Sequence, residues 1–150
     1  MPPTIDQLLP SAKDLLTKIA QNEGEKAAQR MRLEVDEEAE KHALVEQLRK
    51  PSGLSDEEAI RRASVIIQRA ANNGLTEVQV YRFPNALCTD RGRAINQMEP
   101  GWEGTLTGVP KEIYELWRRQ FRDRGYKLSV QIVDFPGGMP GDVGMMLSWG

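Results

Sequence analysis

A chain of 150 residues, 28% of them charged and 39% hydrophobic, is long enough for one ordinary domain or for a small domain with a helical extension. It has no apolar run near the roughly 20 residues that a membrane span needs, and its start, MPPTIDQLL, lacks the basic-then-apolar order of a signal peptide, so a cytoplasmic protein is expected. One cysteine excludes an internal disulfide, one cysteine with one histidine makes no zinc site without borrowed carboxylates or a second subunit, and no cofactor motif is present.

The net charge of −2 conceals an asymmetry: residues 1–60 carry 13 acids and 8 bases, whereas residues 61–150 carry 9 acids and 12 bases. The two parts are therefore expected to be different kinds of structure.

The chain opens with two candidate helix starts. Thr4 with Gln7, and Ser11 with Asp14, have the spacing of caps whose side chains satisfy early backbone amides, and Pro10 separates them. Leu8, Leu9, Ala12, Leu15, Leu16 and Ile19 then form an apolar stripe at helical spacing. Asn22 and Gly24 are predicted to weaken the helix, because glycine costs about 1 kcal/mol relative to alanine in a helix interior. From Glu25 to Lys50 helix formers dominate, with a thinner stripe of Ala28, Met31, Val35, Ala39, His42 and Val45. So narrow a seam suits a two-helix contact or a weak coiled coil. Residues 1–50 are accordingly read as a helical arm that makes a homodimer or docks a protein partner; the alternative is a helix laid across its own domain. His42 fits a seam position, since the turn that would follow a phosphoacceptor histidine closely comes too late here.

Lys50-Pro51-Ser52-Gly53 is a stop, and residues 55–150 are predicted to form a small α+β domain. Ser55 and Glu58 have capping-box spacing, with Ala59, Ile60, Ala63, Ile66, Ile67 and Ala70 as the apolar face of a helix that ends at Asn72-Asn73-Gly74. Leu75 to Phe83 reads as a strand, with Val78 and Val80 on one face and Tyr81 and Phe83 on the other. Residues 84–109 are rich in glycine yet hold a tryptophan, leucines and an isoleucine, so an ordered loop with one short helix near Asp90 to Met98 is expected. Pro110 suits a helix start, and Ile113, Tyr114, Leu116, Trp117, Gln120 and Phe121 mark that helix's buried side before Gly125 ends it. Leu128, Val130 and Ile132 alternate with polar residues, Val143 to Trp149 is a short apolar run, and the FPGGMPGD segment between them offers two turns: a hairpin with a long, glycine-rich tip. The order helix, strand, loop, helix, strand, strand predicts a small mixed three-stranded sheet, its first two strands parallel.

Parallel strands would end on one edge, where open sheets tend to bind ligands. That edge would gather Arg82, Asn85, Cys88, Asp90, Arg91 and Arg93 with Gly137 and Gly138 of the glycine-rich tip. The three arginines suit a carboxylate or phosphate, and neighbouring acids offer them surface ion pairs instead. Cys88 is either a thiol activated by nearby cations or a small buried hydrophobe. Three functional classes follow. The first is a non-enzymatic interaction or regulatory module that self-associates through its N-terminal helices. The second is a small enzyme or binding protein for an anionic ligand held between the 84–109 and 136–142 loops. The third is nucleic-acid binding through the basic surface of residues 118–127, which lacks the reading element such proteins usually carry. No catalytic residue and no metal ligand is assigned.

Overall fold

The computed structural model describes residues 2–150 and divides into two compact units, with the boundary between His42 and Ala43.

In the first unit a four-residue helix, α1 (Ile5–Leu8), precedes α2 (Ala12–Arg49). Both expected caps form: the Thr4 amide donates to Gln7 Oε1, and the Asp14 amide donates to Ser11 Oγ. The weakening expected at Asn22 and Gly24 does not interrupt α2, which runs unbroken through both. One glycine among strong helix formers costs too little to stop propagation. Ile5, Leu8, Leu9, Leu16, Ile19, Met31 and Val35 are all more than half exposed.

The second unit starts inside α2, at Ala43; Val45 is buried and Leu48 packs against the same core. After the linker comes α3 (Asp56–Asn72), where Ser55 Oγ accepts from the Glu58 amide and three acids fill the first turn. Then come β1 (Glu77–Phe83), the short α4 (Arg93–Asn96), and α5 (Gly108–Leu116). α5 continues into one wide π turn at Trp117–Phe121, and the chain ends with β2 (Lys127–Ile132) and β3 (Val143–Ser148).

The sheet order is β1-β3-β2, and both hydrogen-bonded pairs are antiparallel. The mixed sheet is thereby corrected. β1 and β2 do run in the same direction, but β3 lies between them. Its Val143, Met145 and Leu147 are almost wholly buried, and a central place gives so apolar a strand a partner on each edge.

β1 also departs from the simple alternation expected of it. Its register slips between Gln79 and Tyr81, so that Val78 faces Leu147 while Tyr81 and Phe83 face Met145 and Val143. The bulge at Val80 changes the phase of the strand. Val78, Tyr81 and Phe83 therefore share one sheet face with Leu128, Val130 and Ile132. The opposite face is polar, with Glu77, Gln79, Arg82, Lys127, Ser129 and Gln131 exposed.

The covered face carries two clusters. One joins Phe83, Val143 and Met145 to Val45, Leu87, Cys88, Ile95 and Leu106, so the 84–109 segment supplies much of the core. The other joins Leu147 to Ile67 of α3 and Phe121 of the π turn.

Candidate functional site

Phe83 at the end of β1 and Ile132 at the end of β2 both pair with Val143 at the start of β3. The loops that follow the two strands therefore leave the sheet at one rim. Asn85 Nδ2 donates to the Pro140 carbonyl at 2.8 Å, and the Cα of Gly92 sits so close that an added Cβ would lie 3.2 Å from Ile132 Cδ1. The 84–109 and 136–142 segments meet as the sequence suggested.

At this rim most of the polar side chains serve the fold. Arg82 Nε donates to Asp142 at 3.0 Å and Nη2 to Asp134 at 3.2 Å, while Asp134 also accepts from the Asp142 amide. This clamp is partly exposed, so its worth is at most about 1 kcal/mol. The Asp90 carboxylate accepts from the Gly92 and Ala94 amides and caps α4, and Arg93 pairs with Glu99 at 3.0 Å. Gly137 and Gly138 are exposed in a single 3₁₀ turn with positive φ. Arg91, itself at φ 57°, is exposed and has no ion pair among the described residues.

Cys88 is 3% exposed and forms a lone bridge with Leu106. Burial, and less strongly the charge of Asp90, push its thiol up to about 11 against the opposing hydrogen bond from Thr105. The folded state holds that proton more tightly than the unfolded chain does. Its contribution to stability is intact below the ordinary thiol value and is lost as the pH climbs toward 11. Ellman's reagent at pH 8 is expected to leave Cys88 unmodified for as long as the protein stays folded, and to titrate it at once in guanidinium. Rapid labelling of the native protein would show an accessible thiolate instead.

Three residues of the basic surface at 118–127 are likewise engaged. Arg118 pairs with Glu115, Arg119 with Asp56, and Arg122 lies over the Trp117 ring at 5.9 Å.

The second unit also holds a cleft of about 900 Å³. Val80, Leu128 and Leu147 form its floor on the covered face of the sheet. Ala59, Ala63 and Ile66 of α3 make one wall; Ile113 and Leu116 of α5, with Trp117 and Phe121 of the π turn, make the other. The linker at Pro51–Leu54 borders it. The Ser52 amide and hydroxyl tie the linker to α5 by donating to the Glu112 carboxylate, and Arg119 and Gln120 tie the two walls by donating to Asp56. Trp117 is held in place by a 2.9 Å hydrogen bond from its Nε1 to the Tyr126 carbonyl. None of the ligand-binding residues expected from the sequence lines the cleft. The available signal was residue size: alanine at 59 and 63, on the face that α3 turns to the sheet, leaves a gap that leucine would close.

These features define an α+β protein: a three-stranded antiparallel sheet, helices on one of its faces, and a long helix leading into it. Among the described residues no helix is long and apolar enough to cross a membrane. No family model matches the chain, and neither a curated protein nor a solved structure is significantly similar to it.

Proposed function

We propose that the protein is a non-enzymatic interaction module of the cytoplasm that self-associates through its N-terminal helices. The observation that carries this reading is the exposure of large apolar side chains along the first unit, with Ile5 at 75%, Leu8 and Leu16 at 67% and Val35 at 65%. Such a ladder is costly in water and is stabilised by a second helix.

The stripe suits a second copy in antiparallel order. Reversing residues 12–42 of one α2 against the same residues of another about their midpoint sets Ile19 opposite Val35, Leu15 opposite Ala39 and Ala12 opposite His42. Parallel pairing in register would bring the acidic run Glu34, Asp36, Glu37, Glu38 and Glu40 against its own copy, where like charges repel. The rim reading, with a small anion held by Arg91 and Arg93, has less behind it because Arg82, Asn85, Asp90 and Arg93 already have partners within the fold.

Light scattering on the full chain is expected to give twice the 16.9 kDa of one copy, and the double variant Leu16→Glu/Ile19→Glu is expected to give the single mass. A wild-type chain that stays at 16.9 kDa at high concentration, or a double variant that still pairs, would remove the proposal.

A further inference from the structure

The cleft between α3 and α5 belongs to the second unit alone, and nothing about it depends on the N-terminal helices. We propose that it is a binding site for a neutral, predominantly apolar small molecule carrying a hydrogen-bond acceptor, with the Tyr81 hydroxyl as its polar contact.

Size supports this occupant. The volume of about 900 Å³ falls within the roughly 300–1,000 Å³ of pockets that enclose small ligands. The tie from Arg119 to Asp56 bridges the walls and the tie from Ser52 to Glu112 fastens the linker at the cleft's border, which suits a compact molecule better than a continuous polypeptide.

Charge narrows the chemistry. Three acids and three bases line the cleft, so they cancel, and most are already engaged: Asp56 with Arg119, Glu112 with Ser52, Glu115 with Arg118, and Arg62 with Glu58. An ionised group brought among these apolar side chains would lose water without gaining a free partner, apart from Lys111 at the exposed edge. A neutral acceptor avoids that cost.

Tyr81 supplies the donor. It lines the cleft, is half-buried, and its phenol is shifted above the ordinary value by burial and then by the nearby negative charge of Glu112. The phenol therefore stays protonated across the physiological range, and Glu112 disfavours an anionic head beside it. The wall opposite α3 includes the π turn, a costly element that proteins tend to keep at functional positions.

The test uses the full chain and the uncharged dye Nile red, followed by displacement with decanol or with decanoate. One saturable site per chain is expected, with decanol displacing the dye at least about tenfold more strongly than decanoate. Ala63→Phe, which fills the cleft from the α3 wall, should weaken dye binding by at least roughly tenfold at an unchanged thermal midpoint. If that variant does not fold, Ala59→Phe supplies the same readout from the adjacent turn. Tyr81→Phe should weaken decanol more than it weakens the dye. The proposal is overturned by the absence of saturable binding, by full binding in a folded cleft-filled variant, or by a preference for decanoate, which would make Lys111 the anchor of an anion. Dye binding that disappears as light scattering shows chains pairing would overturn it too, since the cleft would then be covered by a second copy.

Discussion

Gly108→Ala is expected to destabilise the second unit by about 3 kcal/mol or more, lowering its thermal midpoint by roughly 12 °C or more. Gly108 has φ +61°, in the left-handed region, and opens α5 directly against the end of α2. A Cβ there would run into the Leu48 carbonyl oxygen and come within 2.9 Å of Arg49 Cα. Neither neighbour is a flexible side-chain end, so the two backbones would have to part. Parting them would lift Leu48 and Val45 from the cluster around Phe83 and Met145. Gly74→Ala isolates the conformational share of the cost, because Gly74 has φ +78° at the end of α3 but open space where its Cβ would be. That control is expected to lose only about 1 kcal/mol. Thermal melts that place the two variants within a few degrees of each other would show that α2 and α5 do not approach as closely as described.

Met145→Ala should cost about 3 kcal/mol, whereas Met146→Ala should cost about 1 kcal/mol or less. Met145 is fully buried on the central strand, between Tyr81 of β1 and Val130 of β2. Truncating it leaves a void where helices cover the sheet. Met146 points to the opposite face, beside Gln79 and Ser129, and is only partly covered. Because successive side chains on a strand alternate, the difference between these neighbours measures which face is packed. Urea unfolding of both variants gives that difference directly. Equal losses would mean that the sheet is covered on both faces, and a reversed order would mean a slipped register.

The local elements are largely legible in the sequence. Ser55, the apolar periodicity of α3, and the left-handed stop at Gly74 define a helix by short-range chemistry, and the structure agrees to within a residue or two. The alternation of Leu128, Val130 and Ile132, the apolar run from Val143, and the turn residues between them identify the hairpin in the same way. The meeting of the two irregular loops was also legible, since it follows from β1 and β2 running in one direction.

What local patterns missed was decided at longer range. The bulge at Val80 reverses the phase of the rest of β1, and no propensity in LTEVQVYRF marks it; the pairing with β3 does. Strand order escaped as well. A helix linking β1 to β2 predicts neighbours, yet β3 inserts between them and satisfies both edges. The site residues divide similarly. Asp90 caps α4 through amides two and four positions on, whereas Arg82 reaches Asp134 and Asp142, 52 and 60 positions away.

Taken alone, the order of residues in this chain determines an α+β protein, its long N-terminal helix with an apolar stripe, and the termini of its principal helices, because those depend on hydrogen bonds and side-chain periodicity within a few positions. Folding in three dimensions settled which strand lies at the centre, which face of the sheet is covered, and where an apolar cleft is left open. Those outcomes depend on how volumes from distant segments fill a shared space, and the alanines of α3 leave theirs partly unfilled.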